Sequence, residues 1–280
     1  MPNELPERVD GGLGSKRMAR SYDRIGAGYS RTRVADPRIT ALIDDALGDA
    51  QTIVNVGAGT GNYEPHGRVV TAVEPSLAMI AQHPAGSARV VRAHAESLPF
   101  PDQSFDAAMA VWTVHHWSDW RAGVREMRRV SRKRVVIATW DSAFADAFWF
   151  THEYLPQAGA LDAANFPPLD ELIELLGTPE SRPIPIPRDC TDGFMAAFWA
   201  RPEALLDPDT RANISTFAQI VRASCRTPSP LSGATSNPAH GRERTAPFAS
   251  RRRSISDIAA SWPKPPGGAP RQWVGSGSTV

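Results

Sequence analysis

Thr52-Ile53-Val54-Asn55-Val56-Gly57-Ala58-Gly59-Thr60-Gly61 is the stretch that decides the fold. Its first five residues are β-branched or apolar, apart from Asn55, and a glycine stops them. Such a run reads as a short buried strand at the centre of a parallel sheet. The glycines at alternate positions let the chain turn tightly and bring bare backbone close to a ligand. A ligand held there lies at the carboxyl end of the strand, where open α/β sheets bind theirs. The spacing is G-x-G-x-G. A dinucleotide fingerprint requires G-x-G-x-x-G, and Asn62 occupies the place of its last glycine.

A second apolar run, Val69 to Val73, ends in Glu74-Pro75-Ser76. An acid at the tip of the neighbouring strand can accept hydrogen bonds from both ribose hydroxyls of a nucleoside. Two further stations follow, His94-Ala95-Glu96-Ser97-Leu98-Pro99-Phe100 and, after a fourth apolar run from Ala107 to Val111, Trp112-Thr113-Val114-His115-His116-Trp117. In this order and spacing the chain resembles the class I S-adenosylmethionine-dependent methyltransferases, and within them the UbiE-like small-molecule type, from about Tyr22 to Trp140.

The resemblance implies a Rossmann-like three-layer α/β sandwich with a mostly parallel sheet, and S-adenosyl-L-methionine as cofactor. It implies that Asn55, Gly57, Ala58, Gly59, Gly61, Glu74, Pro75, Met79 and Trp112 hold the cofactor and that Tyr22 and Tyr29 close over it from an N-terminal segment, with the Ala95 backbone and the Glu96 carboxylate expected to meet its adenine. Two positions depart from the family pattern. Asn55 stands where an acid is common, and His94 where an acid recognises adenine. The cofactor carries its own reactive centre, so few protein nucleophiles are expected. His115 and His116 stand where a general base would help an oxygen or nitrogen acceptor lose a proton, His116 being preferred for that role and His115 for packing. The acceptor is expected to be a small molecule, methylated on O, N or C. A binding protein that has lost catalysis and a nicotinamide-dependent oxidoreductase are the alternatives; no Tyr-x-x-x-Lys pair supports the second.

Composition narrows the partners. The chain has 31 Lys/Arg and 30 Asp/Glu, yet nine basic and only two acidic residues lie from Arg222 onward. The part before it is therefore acidic, which argues against a specific nucleic-acid partner. No apolar run reaches membrane-spanning length and no signal-peptide core is visible, so a cytoplasmic location is expected. Cys190 and Cys225 make neither a metal spacing nor a disulfide framework, and no metal site is expected.

Four segments are expected. Residues 1–20 form a flexible lead-in, and 21–140 the cofactor-binding domain, with a helix from Pro37 to Gly48 and another, capped by Ser118, reaching about Val130. Residues 141–221 form a helical cap over the substrate, including an aromatic helix from Ala143 to about Tyr154, and the proline-rich edge strand of the sheet. Residues 222–280 are about two thirds Arg, Ser, Pro, Ala and Gly, which reads as a disordered tail or a frameshifted product. A methyltransferase sheet of this kind normally ends in an antiparallel hairpin; with no apolar run after Arg222, that hairpin is expected to be incomplete.

Overall fold

The central strand β1 (Thr52–Val56) lies parallel between β2 (Val69–Val73), with β3 (Arg89–Val91) beyond it, and β4 (Phe105–Val111). β5 (Ser131–Trp140) runs parallel to β4. In the computed structural model, residues 29–143, 148, 150–177, 180–224 and 271–278 are described. Two more strands, β6 (Glu180–Pro185) and β7 (Arg271–Ser278), complete a seven-stranded sheet in the order β3-β2-β1-β4-β5-β7-β6. The strand order reverses between β1 and β4. Their carboxyl ends open the crevice in which α/β sheets bind ligands.

Helices α1 (Tyr29–Thr32) and α2 (Pro37–Leu47) precede β1, and α3 (Leu77–Ile80) follows β2. Ile39, Ile43 and Leu47 of α2 pack on one face of the sheet against Ile53, Met109 and Val136. On the other face Val54, Val56, Ala108 and Ile137 meet Val124, Met127 and Val130 of α4 (Trp120–Val130), joined by Leu172 and Leu176 of α6 (Leu169–Leu176). Both faces are covered, so the middle strands read as continuous apolar runs with successive residues going to opposite cores. Beyond β5 lie a single π-helical turn (Phe150–Tyr154), α5 (Pro156–Asn165), and, after α6, two 3-10 turns, α7 (Pro208–Ala212) and α8 (Ser215–Ser224). Trp140, Phe148, Phe150, Leu155, Leu205 and Ile214 form a third core beneath these elements.

Helix ends follow local chemistry. Asp36 caps α2 by accepting from Arg38 N at 3.0 Å, with Pro37 in the first turn, and Gly48 ends it at φ 53°. Ser118 is not the cap of α4. Asp119 takes that place, accepting from Ala122 N at 2.9 Å. Ser118 instead donates to Glu96.

The expected incomplete hairpin is corrected by β7. Its backbone pairs antiparallel with β5 over Arg134↔Ser278 to Trp140↔Gln272, and with β6 over Glu180↔Ser276 to Pro185↔Arg271. Glycine and serine are weak strand formers, so a run rich in them carries little sequence signal. Here the two flanking strands supply the partners that specify it. Of the stretch 222–280 expected to be disordered or frameshifted, residues 222–224 end a helix and 271–278 form β7; its other residues, and the lead-in of residues 1–20, lie outside the described residues. Within the aromatic helix expected from Ala143 to about Tyr154, residues 144–147 and 149 lie outside the described residues and Phe150–Tyr154 form the π-helical turn; α5 was not anticipated.

Candidate active site

β1 delivers the glycine turn to the crevice. Gly57, Gly59 and Gly61 have φ of 72°, 57° and 81°, a region that side chains disfavour. Gly57 is packed: a Cβ there would come within 2.1 Å of Thr113 Oγ1. Gly59 differs, because a Cβ there would meet nothing within 4 Å. It borders open space. β2 brings in Glu74, whose Oε2 accepts from Gly59 N and whose Oε1 accepts from Ser76 N, both at 2.9 Å. One buried carboxylate thus ties the glycine turn to the tip of the next strand, and each oxygen retains lone-pair capacity.

The cleft beside this turn is open to solvent on one side, and the glycine turn, the tip of β2 and the segment after β4 wall it on the others. Tyr29, Gly57, Ala58, Gly59, Glu74, Pro75, Met79, Ala95, Glu96, Trp112 and His116 line it. His94 lines it too, despite its departure from the family pattern. Glu96 is fixed there by Ser118 N and Oγ at 2.7 and 2.6 Å. Burial pushes its carboxyl up, but these donors and Asp119 N outweigh that and hold it below its ordinary range.

Two expected residues are not on the wall. Asn55 turns away to donate to Glu64 Oε1 at 3.1 Å, and Glu64 also meets His83 Nε2 at 3.1 Å. Gly61 packs against His83, where a Cβ would come within 2.6 Å. Both shape the turn from behind. Tyr22 lies outside the described residues.

A second chamber adjoins the first, and Tyr29, Arg33, Trp112 and His116 border both. The short Val114–His116 turn after β4 places His116 on both chambers and His115 on the second alone. His115 stacks on Phe166, ring centroids 4.0 Å apart. Trp140, Phe148 and Phe194 add further aromatic wall. Trp112 holds φ at 53°, a strained conformation for a bulky side chain. Its backbone N–H is fixed by Ala138 O at 3.0 Å.

Sequence reasoning missed Arg33, Asp192 and Tyr63. Arg33 Nε and Nη2 reach the Asp192 carboxylate at 2.6 and 3.2 Å, its Nη1 donates to Tyr29 Oη at 2.7 Å, and Tyr63 Oη donates to Asp192 at 2.8 Å. Burial raises both tyrosines, and Asp192 adds to this. For Arg33, burial opposes the charge, but Asp192 overcomes it and keeps the guanidinium protonated. These residues belong to no local motif; only long-range packing brings them together. Burial first, then Arg33, pushes His116 down to about 3, and burial with His116 and Arg33 depresses His115 well below its ordinary value. Both rings are neutral at neutral pH. An imidazole this weakly basic accepts a hydrogen bond but draws a proton only against a steep gradient.

A glycine turn at a topological switch point, an acid at the tip of the adjacent strand and an antiparallel final hairpin define a nucleoside-binding Rossmann-like enzyme fold. The methyltransferase domain family matches residues 54–139. The chain is 30% identical over 162 residues to a demethylmenaquinone methyltransferase of Corynebacterium urealyticum, covering 51% of this chain and 68% of that protein. It is 32% identical over 92 residues to the uncharacterized methyltransferase YcgJ of Bacillus subtilis, covering 29% of this chain and 36% of that one. A crystal structure of a candidate methyltransferase from an antibiotic biosynthesis pathway of Anabaena variabilis superposes with a TM-score of 0.66 at 28% identity, covering 89% of this chain and 99% of that chain. The chain belongs to the class I S-adenosylmethionine-dependent methyltransferases.

Its cofactor is S-adenosyl-L-methionine, and the first chamber fits it. Glu74 presents a carboxylate for ribose hydroxyls, Gly59 leaves the space beside the turn open, and two buried donors on the wall, Asn62 Nδ2 and Trp112 Nε1, have no partner among the described residues. Donors of this kind suit the carboxylate of the methionine moiety. No helix among the described residues is long and apolar enough to cross a membrane.

Proposed function

We propose that this protein transfers a methyl group from S-adenosylmethionine to a small-molecule acceptor held in the aromatic second chamber. The observation that carries the reading is the junction of the chambers at Trp112 and His116, with the glycine turn and Glu74 on one side and the aromatic wall on the other. The cofactor supplies an activated methyl on a positively charged sulfur. The protein's part is to bind, orient and exclude water. Gly57, Ala58, Gly59, Glu74, Pro75 and Met79 hold the nucleoside side, and Ala95 and Glu96 border the adenine. Tyr29, anchored by Arg33, closes the junction. Trp112 sets the wall between cofactor and acceptor, and its strained backbone fixes that wall in place. His116 serves as a neutral hydrogen-bond acceptor that orients the nucleophile; His115 packs behind it on Phe166.

Incubation of the protein with isotope-labelled S-adenosylmethionine and a small-molecule extract, followed by mass spectrometry, tests this reading. A labelled methylated product supports it. Binding of S-adenosylhomocysteine with no product from broad acceptor pools would favour a binding protein, and binding of NAD in its place an oxidoreductase.

A further inference from the structure

We propose that Asp162 is the recognition point for a protonated amine on the acceptor, which makes the acceptor a small molecule with a flat or apolar body and a basic nitrogen. This rests on the second chamber being the acceptor site. Four carboxylates are buried among the described residues: Asp36, Glu74, Asp162 and Asp192. Three are satisfied. Asp36 accepts from Arg38 and Thr191 N, Glu74 from Gly59 N and Ser76 N, and Asp192 from Arg33, Tyr63 and Gly193 N. Asp162 is 6% exposed, lines the second chamber from α5, and its carboxylate has no hydrogen bond or ion pair among the described residues.

Nothing in the helix requires an acid at this position. Phe166 N bonds to the Asp162 backbone carbonyl, as it would to any residue's. Aspartate is a poor helix former, and burial of an unpaired carboxylate is costly. The other titratable groups on this wall are Tyr29, Arg33, His115 and His116. Arg33 is neutralised by Asp192, and both imidazoles are held neutral. One uncompensated acid therefore remains among the aromatic faces of Trp112, Trp140, Phe148, Phe166 and Phe194. Burial alone pushes its carboxyl up to about 7, so a cation entering the chamber would complete its ionisation. A neutral hydroxyl can hydrogen-bond to the protonated acid but supplies no counterion for the carboxylate, and an anion would favour the neutral acid. An ammonium group supplies the counterion and gains from the ring faces.

The test is calorimetry on the full chain with three probes of one shape, phenethylamine, 2-phenylethanol and phenylacetate, in the wild type and in Asp162→Asn, each with and without S-adenosylhomocysteine. The expected result is amine binding at least tenfold tighter than alcohol or acid in the wild type. That preference should be lost in Asp162→Asn, with S-adenosylhomocysteine affinity unchanged. Absence of any amine preference in the wild type, or its persistence in Asp162→Asn, would overturn the proposal. Should the variant fail to fold, carbon-detected titration of the Asp162 carboxyl in the wild type decides: phenethylamine should lower its midpoint and 2-phenylethanol should not, and equal midpoints would overturn the proposal. Failure of the wild type to bind S-adenosylhomocysteine would defeat the methyltransferase reading separately, since the amine comparison is also made without it.

Discussion

Arg33 and Asp192, 159 residues apart in the chain, meet at 2.6 Å with the Asp192 side chain fully buried. The pair joins the segment before β1 to the segment after β6, and its Arg33 borders both chambers. Removing one partner strands a buried charge. Asp192→Leu should lower the unfolding free energy by about 3–5 kcal/mol. Urea denaturation checks this, and the double variant Arg33→Met/Asp192→Leu should recover part of the loss. A loss within error of zero in Asp192→Leu would show that the pair is not formed in solution.

The three glycines of the turn are not equivalent. Gly57→Ala places a Cβ within 2.1 Å of Thr113 Oγ1 and should compromise folding, seen as a depressed melting temperature. Gly59→Ala meets no protein atom within 4 Å and should cost only about 1 kcal/mol of backbone strain. It should retain the fold while weakening cofactor binding. Equal melting temperatures for the two variants would contradict this placement.

Asp162 and His116 impose opposite slopes on stability against pH. Asp162 titrates at about 7 when folded and near 4 when unfolded, so between these values the folded state binds more protons and stability falls as pH rises. His116 is lowered to about 3, against roughly 6.5 unfolded, so stability falls as pH drops through that window. Chemical denaturation across pH 4–7 should show the Asp162→Asn variant gaining stability with pH relative to wild type, and His116→Gln losing part of its acid sensitivity, with His115 supplying the rest. Parallel curves for wild type and both variants would refute the burial assigned to these groups.

His116→Ala should reduce turnover by about tenfold, as expected for loss of an orienting hydrogen bond. With a ring this hard to protonate, the pH–rate profile should show no inflection near 6.5 that disappears in the variant. Such an inflection, with a drop of a hundredfold or more, would make His116 the general base instead.

The sheet was legible up to β5 because its strands are dense apolar runs stopped by glycine or an acid, and because both faces are covered. Glu74 was legible because its position at the tip of β2 follows from strand length alone. Asn55 and Gly61 were misplaced for a geometric reason: alternation in a strand and a tight turn each offer two directions, and packing against Glu64 and His83 selects the one facing away from the cleft. Arg33, Asp192 and Asp162 carry no local signal; their roles arise from contacts between segments far apart in sequence or from burial by the cap. β7 was illegible because its serines and glycines encode little strand preference, and the open edges of β5 and β6 provide what its side chains do not.

Hydrogen exchange examines that last strand. Amides of residues 271–278 that donate to β5 and β6 should exchange slowly, with protection approaching that of β4. Full exchange within the dead time would return the sheet to five parallel strands with an unpaired β5 edge.

An S-adenosylmethionine site at the glycine turn and Glu74 is checked by titration calorimetry with S-adenosylhomocysteine on the wild type, Glu74→Ala and Gly59→Val. The expected result is saturable binding to the wild type, weaker by about 1–3 kcal/mol in Glu74→Ala through loss of a charged acceptor, and absent in Gly59→Val with the fold intact by circular dichroism. No binding to the wild type, or equal affinity in all three proteins, would mean that the cofactor is not held at this turn.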